Sequence, residues 1–251
     1  MKCKGNTISH SDSHRGLVPQ NNEDFILVDD ELGAYLLADG MGGHNAGEVA
    51  SELAVKTVHT YLKKQLLSSE YNKIPGILSN SIKAAHKAVN KQAKKDLRLM
   101  GMGTTMVELI IRNDKAFVCH IGDSRAYYFK KVLQRLTKDH TMGNRLLENN
   151  IPRHRIPENQ WSILTQAIGV GDPPVADLKQ IDISLDDILM LCSDGLTDML
   201  TDKEIETIIK REELNIDKIA KNLIESANIN GGEDNISVVL VKINSILQEE
   251  S

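Results

Sequence analysis

Only three cysteines occur in the 251 residues, Cys3, Cys119 and Cys192, and they lack the spacing of a metal-binding set. Two lie within apolar runs, where a buried thiol is the ordinary reading, so a reducing cytoplasm is the expected setting. The polar stretch from Met1 to Ser13 has no apolar h-region, which argues against export by a secretory signal. No uninterrupted apolar stretch reaches the roughly 18 residues that a membrane span needs. Positive charge is not in excess either: the net charge is −5 with 26% charged residues, which argues against wholesale binding of nucleic acid. Fixed-period repeats, low-complexity tracts and linkers rich in proline, glycine or serine are also missing. Residues 1–251 therefore read as one domain, long enough for a substantial apolar core.

What is present alternates between strand-like runs and helix pairs. Phe25 to Asp29 and Gly33 to Ala38 read as neighbouring strands around the acidic turn Asp30-Glu31. Ala46 to Leu66 and Ile74 to Leu97 carry apolar residues at helical spacing, among them Val49, Leu53, Val58 and Leu62, then Ile77, Ile82, Ala85 and Val89. Strand-like runs follow at Thr104 to Ile111, Ala116 to Ile121, Ala126 to Phe129 and Leu133 to Leu136. They resume at Trp161 to Ile168, Leu178 to Ile183 and Ile188 to Cys192. Helices are expected near Thr201 to Lys210 and Ile216 to Ala227, and a last strand at Ile236 to Ile243. Consecutive strands interrupted by helix pairs fit an α+β fold of packed antiparallel sheets with helices covering the outer faces.

The most informative feature is a repeated junction between a strand and an aspartate beside glycine, serine or asparagine. It occurs at Ala38-Asp39-Gly40, Gly122-Asp123-Ser124, Ser193-Asp194-Gly195 and Glu233-Asp234-Asn235. The first three aspartates follow a strand and Asp234 precedes one, so antiparallel neighbours bring all four to one rim, where Glu23 and Asp24 can join them. Carboxylates gathered there resist ionising together unless a cation compensates them. Oxygen ligands select Mg²⁺ or Mn²⁺ over zinc, and a carboxylate bridging two such ions activates a shared water for attack on phosphorus. Phosphate-ester hydrolysis is the natural chemistry. Any one Asp-Gly is more often a turn, so the case rests on the set. Asp194 and Asp198 either face inward together on a tight turn or cap the following helix, and spacing alone does not choose.

The ordered blocks resemble the metal-dependent type 2C protein serine/threonine phosphatases in their bacterial form, from about Asn21 to Val241. They are Asn22-Glu23-Asp24, Leu37 to His44 continuing to Ala46-Gly47-Glu48, Gly101 to Thr105, Gly122 to Tyr127, Leu136 to His140, Gln166 to Gly169, Ser193 to Asp198, and Asp234 to Ser237. The resemblance implies a four-layer α-β-β-α sandwich with two mainly antiparallel sheets flanked by helix pairs. It implies that Asp39 bridges two Mn²⁺ or Mg²⁺ ions, with the Gly40 carbonyl on one and Asp194 and Asp234 on the other. Glu23 and Asp24 match positions that orient metal-bound water, and Asp123 and Asp198 match the pair that holds a third ion. Phosphorylated proteins, the products of a serine/threonine kinase, are the implied partners, with no nucleic acid or membrane and the chain acting as a monomer.

Two positions depart from the family pattern. The arginine that grips the substrate phosphate, four residues before the glutamate matching Glu23, is Pro19 here, and proline donates nothing. Arg15 is a displaced substitute at best. Some members carry a histidine directly after the Asp-Gly pair as the acid for the leaving oxygen. This chain has Met41 there and His44 three residues later, so either His44 or metal-bound water is the acid, with a structural loop histidine as the plainer reading. The polar segment 141–160, with Arg145, Arg153 and Arg155, occupies the place of the family's flap and reads as a solvated loop or a docking surface for acidic phosphoproteins. Pro19 also leaves open a weakly catalytic phosphoprotein-binding scaffold. A small-molecule phosphohydrolase is disfavoured, because Gly40-Met41-Gly42-Gly43 lacks the lysine and spacing of a P-loop.

Overall fold

Strands that are apolar on both faces dictate the layering. In a computed structural model, which describes residues 7–42, 46–67, 69–212 and 214–245, they form two antiparallel sheets. One sheet has the order β1-β11-β10-β7-β8, comprising Thr7–His14, Ile236–Ile243, Ile188–Cys192, Arg125–Phe129 and Leu133–Arg135. The other has the order β2-β3-β5-β6-β9, comprising Asp24–Asp29, Ala34–Met41, Met106–Arg112, Lys115–Ile121 and Asp177–Asp182, with the two-residue β4 (Gly103–Thr104) also paired to β3. Side chains alternate across a strand. On β3, Tyr35 and Leu37 enter a cluster shared with Leu189, Leu191, Val239 and Val241 of the facing sheet. Their neighbours Leu36 and Ala38 point the other way, into a cluster with helices α1 (Ala46–Leu66) and α2 (Ile74–Ala93). On the outer side of the sheet that contains β10 and β11, Met190, Cys192, Val238 and Leu240 pack under α4 (Asp194–Thr197), α5 (Asp202–Arg211) and α6 (Ile216–Ile229). Three apolar clusters thus separate four layers, α-β-β-α, as the resemblance implies. No helix among the described residues is long and apolar enough to cross a membrane.

Two segments differ from the sequence expectation. β1 arises from the polar run TISHSDSH, which has no apolar face to announce it; its register comes from backbone pairing with β11 along one edge of the sheet. Trp161 to Ile168 alternates like a strand but forms only single bridges, Thr141↔Leu164 and Thr104↔Ile168. Its backbone is divided between two partners, so no ladder propagates. Within 141–160, α3 (Met142–Glu148) is capped by the Thr141 hydroxyl, and two 3₁₀ turns follow at Arg153–Arg155 and Glu158–Gln160.

Candidate metal centre

The strand ends meet at one edge of the two sheets. Asp39 lies near the end of β3 and is paired in register with Asp24 at the start of β2. β6 runs into Gly122-Asp123, β10 runs into Ser193-Asp194 at the start of α4, and Asp234 stands two residues before β11. Glu23, Asp39, Gly40, Asp123, Asp194 and Asp234 line one cavity of about 960 Å³. Asp198 lines an adjoining cavity of about 610 Å³ that shares Asp123 and Asp194. The single turn of α4 settles the spacing question: Asp198 N–H donates to Asp194 O at 2.8 Å, and both side chains face the same cavity. Gly43 and His44, the suggested acid, lie outside the described residues.

Hydroxyl and amide side chains fasten the residues that carry these carboxylates, mostly through their backbone. Asp39 N–H donates to Thr105 Oγ1 (2.9 Å), Thr105 N–H returns a bond to Asp39 O (2.8 Å), and the Thr104 hydroxyl donates to the same carbonyl (2.7 Å). Ser193 Oγ donates to Asp24 Oδ2 at 2.7 Å. Asn235 accepts from Glu23 N–H (2.6 Å) and donates to Arg15 O (2.8 Å) and Asn21 O (2.9 Å), tying the loop before β2 to the loop before β11. Glycine is required where α1 meets this edge: a Cβ on Gly47 would lie 2.0 Å from Glu23 Oε2, and one on Gly40 would lie 2.1 Å from Gly47 O. Sequence reasoning passed over Thr105, Ser193 and Asn235 as fasteners. Their only signal was that they stand inside the ordered blocks.

The electrostatics call for a cation. Burial, and then the charges of Asp194, Asp24 and Asp123, push the Asp39 carboxyl well above the ordinary carboxylate range. Burial also raises Asp24, an effect that the serine hydrogen bonds only partly offset. Asp123 is raised by burial and by Asp194, and Asp194 by burial, Asp198 and Asp234. Asp198 is raised by burial and by Asp234, with Arg125 opposing. Buried Asp24 Oδ1 and Asp194 Oδ1 have no hydrogen-bond partner among the described residues, and leaving such an acceptor unpaired costs about 1–3 kcal/mol. Divalent ions answer both the repulsion and the orphaned oxygens, and an all-oxygen donor set suits Mn²⁺ or Mg²⁺. The residues present therefore fit such ions.

Residues 11–235 match the model of the protein phosphatase 2C family. This chain belongs to that family. Membership makes phosphoproteins its substrate class and Mn²⁺ or Mg²⁺ its cofactor. The chain is 36% identical over 236 residues to the serine/threonine phosphatase stp of Listeria innocua, covering 92% of this chain and 93% of that one. Stp1 of Staphylococcus aureus superposes with a TM-score of 0.87 at 28% identity, covering 98% of both chains. The catalytic domain of the serine/threonine protein phosphatase PstP, solved with two manganese ions, superposes with a TM-score of 0.83 at 31% identity, covering 95% of this chain and 99% of that one.

Pro19, where the resemblance implies a phosphate-gripping arginine, stands at the mouth of the cavity. No lysine or arginine lines it among the described residues. Arg15 does not replace the missing guanidinium, because its Nη1 turns to the backbone carbonyls of Pro19 and Gln20, each at 3.4 Å. Ser162 to Ala167 and Val170 to Val175 form the opposite wall. His120, His140 and Asp177 also lie close enough together to suggest a metal site. Their geometry disfavours one. The two rings stack at 4.7 Å and 17°, so their in-plane lone pairs do not converge. Gly122 N–H points at His140 Nδ1 (3.2 Å), which puts the ring proton on Nε2 toward Asp177 (3.3 Å).

Proposed function

We propose that this chain hydrolyses phosphoserine and phosphothreonine esters of proteins, reversing the work of a serine/threonine kinase as a single catalytic domain with 141–160 as its flap. In this reading Asp39, the Gly40 carbonyl, Asp194 and Asp234 would together hold two Mn²⁺ or Mg²⁺ ions, and Asp123 and Asp198 would hold a third. The observation that carries the reading is the convergence of Asp39, Asp194 and Asp234 from separate strand ends into one cavity, next to buried carboxylate oxygens with no partner among the described residues. The names of the relatives stp and Stp1, serine/threonine phosphatases matched over nearly their whole length, support the substrate class.

When bound, the ions would supply the positive charge that makes water a nucleophile near neutral pH and that draws in the phosphate. The chain's own residues do the rest. Thr104 and Thr105 fix the Asp39 backbone from three sides, and Glu23, tied to Asn235 and lining the cavity, orients water there. With no cationic side chain in the mouth among the described residues, the walls position a substrate by shape and the phosphate is left to the ions. No described histidine lines the cavity, so His44 stands as the candidate acid for the leaving oxygen.

The test is hydrolysis of an aryl phosphate and a phosphothreonine peptide by the purified protein with Mn²⁺, abolished by a chelator. Turnover that persists after complete chelation defeats the reading. Binding of phosphopeptide without turnover supports instead the scaffold that Pro19 suggests. The reading also places the protein in the cytoplasm as a monomer.

A further inference from the structure

Asp123 sits where the chain crosses from β6 in one sheet to β7 in the other, and no side chain among the described residues donates a hydrogen bond to its carboxylate. Its aim is therefore set by the peptide that carries it. That peptide is gripped on both sides by two consecutive residues, Asp139 and His140. On the near side, His140 N–H donates to Gly122 O (2.9 Å) while Gly122 N–H donates to His140 Nδ1 (3.2 Å), a two-point clamp on the residue before Asp123. Gly122 has φ +96°, and a Cβ there would lie 2.6 Å from Thr105 Cγ2, so this residue has no side chain with which to hold itself. On the far side, the Asp139 carboxylate accepts from Arg125 Nη2 (2.9 Å) and Nε (3.2 Å), two residues beyond Asp123, and also pairs with Arg135. Between them, Ser124 Oγ bonds Thr105 Oγ1 at 2.7 Å.

His140 is itself locked in place. Its ring stacks on His120, whose Nε2 donates to Lys138 O at 2.8 Å, and its Nε2 faces Asp177. Its carbonyl accepts from Thr165 N–H at 2.8 Å, and Thr165 lines the cavity wall. One histidine thus connects the Asp123 turn to the wall of the mouth.

We propose that His140, with Asp139, is the positioning residue for Asp123, and that the Gly122 clamp sets how well the weakest ion is held. This inference rests on the proposed function for its consequence, but not for the clamp itself. Loss of a residue that orients a ligand commonly lowers metal affinity or activity about 10- to 100-fold.

Three variants separate positioning from mere packing. His140→Asn keeps an acceptor one bond beyond Cγ, where Nδ1 stands. His140→Gln moves the acceptor one carbon further out, and His140→Ala removes it. Amide hydrogen exchange on the metal-free proteins reads the clamp directly. Gly122 N–H is expected to lose protection in the Ala and Gln variants and to keep it in the Asn variant. Calorimetric Mn²⁺ titration is expected to show the weakest phase weakened about 10-fold or more in Ala and Gln, with the tight phase retained. Their kcat is expected to fall while KM changes little, and Asn is expected to rescue both. A folded Ala or Gln variant with wild-type protection at Gly122, or a folded Asn variant that behaves like Ala, overturns the proposal. Should Ala fail to fold, the contrast between Gln and Asn decides between clamp and packing by itself. Absence of Mn²⁺-dependent turnover in the wild type would instead strike the proposed function, leaving the exchange result to judge the clamp.

Discussion

Glu108 offers a stability experiment far from the metal centre. It lies on β5 with no solvent exposure, opposite Leu36 and Cys119 in the sheet, and faces Ser81 of α2. Ser81 Oγ is 2.6 Å from Leu78 O and 2.9 and 3.1 Å from the two Glu108 oxygens. A hydroxyl has one proton. If that proton goes to Leu78 O, the carboxyl must supply the other, which requires Glu108 to be protonated. Burial pushes its pKa up from 4.5 to about 8, a rise that the serine bond only moderates. The sign follows from linkage. The folded chain holds a proton that the unfolded chain releases near pH 4.5, so this contribution to stability is full below that pH. It is lost as pH rises through about 8. Each pH unit in the window removes about 1.4 kcal/mol, so the loss approaches about 5 kcal/mol. Glu108→Gln keeps the shape and cannot ionise. In urea unfolding with chelator present, the variant is expected to match the wild type within about 1 kcal/mol at pH 5, and to exceed it by several kcal/mol at pH 9. The carboxylates of the metal centre titrate in both proteins and cancel in the difference. Parallel stability curves from pH 5 to 9, or a wild type that gains on the variant as pH rises, would refute the assignment of a buried neutral acid.

Mn²⁺ at 100 times its dissociation constant is expected to stabilise the fold by about 2.7 kcal/mol, raising the melting temperature by about 5–10 °C in a chain of this size; an unchanged melting curve in calorimetry would mean that the carboxylate cluster holds no ion. Pro19→Arg puts a guanidinium on a cavity wall that has none among the described residues, and a charged hydrogen bond to phosphate is worth about 1.5–3 kcal/mol. The KM for phosphate esters is therefore expected to fall about tenfold or more with metal dependence little changed, and an unchanged or higher KM in a folded variant defeats the argument. Asn235→Ala removes three hydrogen bonds from a residue that is 4% exposed. It is expected to cost about 2–4 kcal/mol in urea unfolding and to lower turnover by loosening Glu23; a loss below about 0.5 kcal/mol would show that the two loops are held elsewhere.

The legible parts of this molecule share a physical cause. β10 and β11 are legible to their true limits because both their faces are largely buried: β10 is an unbroken apolar run, and β11 is one interrupted only by Ser237 and Lys242. That is also why the acidic residues stand out: Asp39, Asp123 and Asp194 interrupt such runs at the place where the chain leaves the sheet. Antiparallel pairing then needs no further information to gather them, since β3, β6 and β10 end at the same edge where β2 and β11 begin. The illegible parts have the opposite character. β1 is held by backbone bonds along an edge, and backbone bonds leave no mark on residue type. Trp161 to Ile168 has a strand's alternation, yet its backbone bonds are spent on two different segments. Thr105, Ser193, Asn235 and His140 act through hydrogen bonds whose partners are from 18 to 220 residues away. A carboxylate at a strand end advertises a charge that the fold must neutralise, whereas a hydroxyl or amide behind it is satisfied by any of several neighbours. The chemistry of the centre is therefore written in the residues that are costly to bury, and its geometry in residues that are not.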